Sequence, residues 1–270
     1  MSAPNENPSL TPFLRGFLVV EVLALFAAGG GLFFLTDLAR AQWPWDIPPF
    51  NARFVGAAYL SSLVAAGMLL LAARWAPARL LLPMLFTFTG LVLVMSLIWW
   101  NKFLFDRWAT WGWFILYFLL PISSAYYFWQ YRRLPPADPT PVPAAWRYVL
   151  LAFGVLLGLY GVLQFLAPEA MSAFWPWKID AFHGHLYSAI FVAAAVGALR
   201  LSRVAAPVEF FTLGLTYAVL GFFAILGVVI VDASAHSVNW SAPGTWAWTM
   251  AFAAILIAGV GLMAQSRARR

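Results

Sequence analysis

Long runs of apolar residues most constrain what this chain can fold into. A bilayer core about 30 Å thick needs roughly 20 residues of α-helix, and runs of that length are Phe13–Leu35, Phe54–Ala73, Leu80–Trp100, Trp111–Tyr131, Tyr148–Ala167, Phe210–Val231 and Trp246–Met263. An eighth run, from about His185 to Leu201, is weaker because it opens with polar residues. The runs are continuous rather than alternating, which excludes spanning strands. We therefore predict an all-α integral membrane protein with eight transmembrane helices.

The composition agrees with this class. Apolar residues make up 63% of the chain and charged residues 10%, against about half and about a quarter in soluble domains. Such a chain has too little polar surface to cover itself in water, which excludes a soluble enzyme or a nucleic-acid-binding module. Lipid is therefore an expected partner and nucleic acid is not. Because the chain has no Cys, disulfides and thiolate metal sites are also excluded.

The basic residues fall unevenly on the two ends of the apolar runs. Short cytoplasmic loops collect Lys and Arg, so the richer side, which carries both termini, is predicted to be cytoplasmic. That side has Arg15, Arg74, Arg79, Arg132, Arg133, Arg147, Arg200, Arg203, Arg267, Arg269 and Arg270, and the other has Arg40, Arg53, Lys102, Arg107 and Lys178. The N-terminus lacks the basic start of a signal peptide, so Phe13–Leu35 is expected to be retained.

The sequence also contains an internal duplication. An offset of 132 residues places Trp43-Pro44-Trp45 on Trp175-Pro176-Trp177, and an offset of 135 places Thr110-Trp111 on Thr245-Trp246. Each half holds four spans, so both repeats enter the membrane in the same direction. We predict two parallel four-helix repeats, packed as bundles side by side. Residues 1–133 form the first, residues 147–270 form the second, and the Pro-rich residues 134–146 form a cytoplasmic linker.

Small residues recur at helical spacing on several runs, for example at Gly154, Gly158 and Gly161 and at Gly214, Ala218 and Gly221. Such ridges let helix backbones approach closely in lipid. Packing within one chain is the favoured interpretation. The alternative is association with a second copy or with another membrane protein.

Tryptophan is concentrated at the non-cytoplasmic ends of the runs. Indole suits the headgroup layer, because its ring is apolar and its N–H needs a partner. Twelve of the 15 Trp residues lie there: Trp43, Trp45, Trp99, Trp100, Trp108, Trp111, Trp113, Trp175, Trp177, Trp240, Trp246 and Trp248. An interfacial belt explains most of them. The repeated Trp-Pro-Trp segments are rigid, and the alternative is that Trp43, Trp45, Trp175 and Trp177 line a shared outer groove that binds a ligand.

All three His residues fall in the same outer layer, near several carboxylates. Imidazole and carboxylate together suit zinc, copper or iron, and the candidate ligands are His183, His185, His236 and Asp232. Residues two apart on a helix point to nearly opposite sides. His183 and His185 therefore chelate one ion only if Gly184 keeps this entry unwound. Haem is a weaker variant, and interfacial His residues without metal are the favoured interpretation.

Glu21 is the only acid well inside an apolar run. An ionised carboxylate at that depth costs on the order of 3 kcal/mol, so Glu21 should face the bundle and find a partner or stay protonated. Its counterpart in the second repeat is Phe153. We take Glu21 as a candidate ligand-binding residue, against the alternative of a structural buried acid.

The segment from Trp43 to Ala58 resembles one found in uncharacterised multi-pass bacterial membrane proteins. The likeness is carried by Trp43, Pro44, Trp45, Pro48, Ala52, Arg53, Gly56 and Ala57. The resemblance implies a bacterial inner-membrane location and little else. Arg53 is also taken as a candidate ligand-binding residue. In the second repeat His185 stands where that Arg would be, so the pattern has diverged there. The family has no known activity.

Three functions remain open. The first is a non-catalytic scaffold or accessory subunit that presents its Trp-rich outer surface to a lipid, pigment or partner protein. The second is a small transporter built on the duplicated bundles. The third is an outer-face oxidoreductase that depends on a metal or haem at the His residues. We rank them in that order, and the sequence identifies no cofactor.

Overall fold

The computed structural model describes residues 7–137 and 140–269, and this part of the chain is about 80% helical without strands. Residues 138 and 139 of the expected linker lie outside it. The helices are α1 (Pro12–Phe34), α2 (Thr36–Gln42), α3 (Pro49–Ala72), α4 (Trp75–Ile98), α5 (Trp108–Tyr131), α6 (Ala144–Leu166), α7 (Pro168–Ser172), α8 (Ala181–Leu201), α9 (Pro207–Ala235) and α10 (Pro243–Ala268).

Seven of these helices are long and apolar enough to cross a membrane, namely α1, α3, α4, α6, α8, α9 and α10. The prediction of an all-α, multi-pass membrane protein is confirmed at this level. The weak run that begins at His185 lies in α8 and belongs to the seven. The run Trp111–Tyr131 lies in α5, which does not belong to them. α5 has 24 residues and no charged side chain, but its many Trp and Tyr residues lower its mean hydropathy.

Proline and capping side chains determine where the helices begin. A Pro stands in the first turn of α1, α3, α7, α9 and α10, where its fixed φ suits the helix and its missing N–H has no partner to lose. Helix α8 instead begins after Asp180, whose carboxylate accepts a hydrogen bond from the backbone N–H of His183 at 2.9 Å. This cap places both His183 and His185 inside the helix.

The two halves of the chain meet along α3 and α4 of the first half and α9 and α8 of the second. Helix α3 packs against α1 and α9, and α8 packs against α6 and α4, whereas α3 and α4 touch each other only slightly. Helices α5 and α10 pack on α4 and α9. The side-by-side arrangement of two four-helix repeats stays a prediction. Helices α3 and α8 bury small residues on several faces, and each is covered by one helix of its own half and one of the other.

The small-residue ridges pack within the molecule, as favoured from the sequence. A Cβ atom added to Gly259 in α10 would lie 2.5 Å from the backbone nitrogen of Ala218 in α9. A Cβ atom added to Gly161 in α6 would lie 3.0 Å from the backbone nitrogen of Val192 in α8. At both places the helices approach closely because no side chain separates them.

A buried ion pair joins α4 to α9 near the arginine-rich end of the bundle. Arg79 donates two hydrogen bonds to the carboxylate of Glu209, from Nε to Oε1 at 2.7 Å and from Nη2 to Oε2 at 2.7 Å. Arg79 also donates to the carbonyl of Val204, and Glu209 accepts from the backbone N–H of Ala206. This bidentate geometry fixes one helix from each half against the other.

Replacing Glu209 by Gln should lower the free energy of unfolding by about 3–5 kcal/mol, because it leaves the Arg79 charge buried without a counter-charge. Denaturant titration in detergent micelles measures the change. Asp37→Asn is the matched control, since the Asp37 side chain is 99% exposed and lies 3.6 Å from Arg40. An exposed pair contributes at most about 1 kcal/mol, so equal losses in the two variants would contradict the importance of the buried pair.

Gly259→Ala should cost about 1–3 kcal/mol, because the added methyl group overpacks the contact between α9 and α10. Gly67→Ala is the control, since a Cβ atom at Gly67 meets nothing within 4 Å. That variant should be unchanged or slightly stabilised, because Ala favours a helix more than Gly does. The same unfolding titration compares the two variants. If Gly259→Ala leaves the free energy of unfolding unchanged, α9 and α10 can move apart at little cost.

Candidate functional site

Both Trp-Pro-Trp segments are buried rather than open to an outer groove. The exposed fractions are 8% for Trp43, 2% for Trp45, 6% for Trp175 and 9% for Trp177. The rings form edge-to-face contacts inside the bundle, such as Trp45 with Trp113 at 4.9 Å and Trp177 with Trp248 at 5.4 Å between ring centroids. The groove expectation is therefore wrong, because the turns direct these large apolar rings inward, where their burial stabilises the fold.

The other outer tryptophans divide between the core and the surface. Trp113 and Trp248 are buried with the two segments, and Trp99 is half-buried. The exposed ones are Trp100, Trp108, Trp111, Trp240 and Trp246. These five have the exposure that a belt at the membrane interface requires.

Each Trp-Pro-Trp segment donates a hydrogen bond to a helix of the opposite half. The indole N–H of Trp45 donates to Nε2 of His183 at 3.1 Å, and that of Trp177 donates to Oδ1 of Asn51 at 2.6 Å. Nδ1 of His183 lies 2.7 Å from the carboxylate of Asp180. Because Nε2 accepts, the ring proton belongs on Nδ1 and is donated to Asp180. Both ring nitrogens of His183 are thus occupied.

The carboxyl of Asp180 lies just outside α8 and has an altered pKa. Partial burial raises the pKa, but hydrogen bonds from the ring and backbone N–H of His183 outweigh this effect and hold it at about 2. Asp180 therefore stays ionised and orients the imidazole at neutral pH.

The four predicted metal ligands are not brought together. His185 accepts a hydrogen bond from the Trp99 indole at Nδ1 and, in the helical start of α8, points away from His183. Asp232 accepts from Trp240 and from the backbone of Val238. His236 is exposed and ends α9 in the left-handed conformation, with φ of 47°. Among residues 7–137 and 140–269, no group of three or more His, Asp or Glu residues could hold a metal ion.

A cavity of about 420 Å³ lies in the first half, between α1, α3, α4 and α5. Its volume falls in the range of small-molecule sites. The wall is mostly apolar, with polar groups at Glu21, Gln42, Ser62 and Thr89 and at the hydroxyls of Tyr59 and Tyr117. Trp108, which also lines it, is 73% exposed, so part of the wall lies at the protein surface beside α5.

Glu21 is the principal polar group of this cavity. The residue is only 7% exposed, and its Oε2 atom is buried without a hydrogen-bond partner in the described part of the chain. The Tyr59 and Tyr117 hydroxyls nearby in the wall lie 3.0 Å apart and bond to each other. A buried, unpaired carboxylate oxygen is costly. It therefore marks a place where a bound group would be stabilised.

At the matching place in the second half, described side chains pack against one another. There the Trp175 indole donates to the Tyr160 hydroxyl at 2.7 Å, and Tyr160 also contacts Phe174. At an offset of 132 residues Tyr160 corresponds to Ala28, which lines the cavity. The matching indole N–H, that of Trp43, is buried without a partner among the described residues. A small residue in place of Tyr leaves both the space and the free donor.

A smaller cavity of about 100 Å³ continues from the first toward the arginine-rich end. It is lined by α1, α3, α4, α8 and α9, and it shares Glu21, Ser62, Leu85 and Phe88 with the larger one. Glu21 is therefore part of the wall of two cavities that occupy different depths of the bundle.

Of the six predicted ligand-binding residues, only Glu21 and Trp43 line the larger cavity. Trp45 lies behind Trp43, Trp175 and Trp177 belong to the other aromatic cluster, and Arg53 lies against Gly227 of α9. Sequence reasoning missed the two Tyr hydroxyls and the space beside Ala28. The sequence signal for this space is that Ala28 stands in the first half where Tyr160 stands in the second.

His183→Asn should keep most of the stability, because Asn is the acceptor that Trp177 uses at position 51. His183→Leu should lose about 1–3 kcal/mol more, since it leaves the buried Trp45 N–H without an acceptor. Thermal unfolding in detergent compares the two variants. If they unfold alike, the indole hydrogen bond between the halves does not contribute.

No family model, curated protein or solved structure matches this chain. A function therefore has to follow from the cavity, the buried carboxyl and the aromatic residues themselves.

Proposed function

We propose that this chain is a membrane-embedded binding protein that holds a small amphipathic molecule in the cavity between α1, α3, α4 and α5. It acts as a binding or accessory subunit rather than as an enzyme. The observation that carries the proposal is the cavity of about 420 Å³ with the unpaired Oε2 atom of Glu21 in its wall. An apolar space with a few polar groups is the usual form of a small-molecule site.

The difference between the halves supports the proposal. Where the first half has Ala28, Ala39 and Gln42 in the cavity wall, an offset of 132 residues gives Tyr160, Met171 and Phe174. Simple packing would favour the larger side chains, because a cavity costs stability. The first half thus carries a destabilising space and two unpaired polar atoms, which binding of a ligand would offset.

We further propose eight spans in two parallel repeats, with α5 as the eighth. In support, α5 is 24 residues long and packs along α4, as α10 packs along α9. The indole bonds to Asn51 and His183 also occupy matching positions at an offset of 132 residues. The distribution of Arg and Lys favours cytoplasmic termini, and the resemblance in the segment from Trp43 to Ala58 favours a bacterial inner membrane.

Transport is a second candidate, favoured by one observation. The two cavities share Glu21 in their walls, one on the Trp-rich side and the other toward the arginine-rich end. A transporter would pass its substrate from one to the other. Release of bound ligand into the lumen of proteoliposomes would favour transport, whereas saturable binding without release would favour a binding protein.

Ala28→Tyr should fill the cavity and give the Trp43 indole an acceptor, as Tyr160 does for Trp175. We expect loss of binding of neopentylbenzene, an apolar probe, and an increase in unfolding free energy of about 1 kcal/mol from the new hydrogen bond. Equilibrium dialysis against empty nanodiscs measures binding to the nanodisc-embedded chain. Leu23→Tyr is the control, because Leu23 is 62% exposed on the same helix and does not line the cavity. Equal binding by both variants would contradict the proposed site.

A further inference from the structure

The walls of the two cavities contain an acid without a base. Among the described residues that line the two cavities, Glu21 is the only acid, and no Lys, Arg or His accompanies it. Its Oε2 atom has no hydrogen-bond partner among the described residues. An ionised carboxylate in this place therefore has no counter-charge from the protein, and a bound cation would provide one.

Aromatic rings form much of the remaining wall. The larger cavity is lined by Trp43, Tyr59, Phe88, Trp108, Trp113 and Tyr117. Several of these rings touch one another. The ring centroid of Trp113 lies 5.9 Å from that of Trp43 and 4.3 Å from that of Tyr117. Aromatic faces attract cations, and groups of them bind quaternary ammonium ions in proteins.

The walls also exclude a small hydrated ion. Apart from Glu21 and a few hydroxyl and amide groups, the lining is hydrocarbon or aromatic, and hard cations require several oxygen ligands. The cation must therefore carry its own apolar surface. The exposed edge at Trp108 gives such a molecule access from the membrane interface.

We propose that the ligand of this cavity is an organic cation, an ammonium group on a hydrocarbon or aromatic body, held by the Glu21 carboxylate and the surrounding rings. This inference rests on the proposed binding function and names the class of its ligand. The carboxylate neutralises the ammonium, and the rings contact its alkyl groups. The apolar wall covers the rest of the molecule.

The test uses two probes of the same shape. Benzyltrimethylammonium and neopentylbenzene differ only in the central atom, which is a positively charged nitrogen in one and carbon in the other. The full chain in nanodiscs should bind the ammonium at least about tenfold more tightly, as expected when a buried charge gains its partner. Equilibrium dialysis against empty nanodiscs corrects for partition into lipid.

Glu21→Gln should reduce ammonium affinity to that of neopentylbenzene and leave neopentylbenzene binding unchanged. Retained binding of the neutral probe also reports that the variant is folded. Trp108→Leu provides a second readout, because it keeps apolar surface but removes an aromatic face, and it should weaken the ammonium about two- to fivefold. Trp111→Leu is its control, since Trp111 is exposed and lies outside the cavity wall.

The outcomes separate the two proposals. If neopentylbenzene binds but the ammonium has no advantage, or if Glu21→Gln keeps that advantage, the organic-cation inference is overturned and the binding cavity stands. If neither probe binds to the unaltered chain, the binding function itself is overturned, and the ligand class with it.

Discussion

Contact of α3 with α9 and of α8 with α4, across the two halves, is the constraint on which the rest of the structure depends. Helices α3 and α8 carry small residues on several faces, so they need close neighbours on more than one side. Lipid gives no hydrophobic drive for that association, so packing and hydrogen bonds must supply it. The arrangement brings Asn51 and His183 to the indoles of the opposite Trp-Pro-Trp segments. It also sets α4 against α9, where the buried ion pair forms.

Within this frame the two halves differ in how they use their interior. The second half is packed closely, with α9 and α10 in backbone contact at Gly214 and Gly259 and with Tyr160 bonded to Trp175. The first half leaves space between α1 and α5 and keeps a carboxyl in it. Helix positions alone do not account for this contrast. A few exchanges of small side chains for large ones account for the difference between the closely packed second half and the first half, which has space for another molecule.

The fold class follows from the sequence because the length of apolar helix alone decides it. The sequence predicts α5 as an eighth span, but its Trp and Tyr residues, which suit a membrane interface, give it a lower mean hydropathy than the seven apolar helices. Glu21 could be singled out because an acid inside a span is rare. The cavity could not be, since its volume depends on side chains from several helices at once. The predicted metal ligands are not brought together, for a local reason. Asp180 caps α8, so His183 and His185 lie within the helix and point apart.

The pairing of Arg79 with Glu209 has a consequence for biosynthesis. The two residues are 130 positions apart, so the guanidinium leaves the ribosome long before the carboxylate that neutralises it. Until α8 and α9 are inserted, α3 and α4 lack their neighbours from the second half, and the Arg79 guanidinium lacks Glu209 as its partner. The contact between the halves is therefore completed only after translation has passed Glu209, and a product terminated earlier would keep Arg79 without this counter-charge.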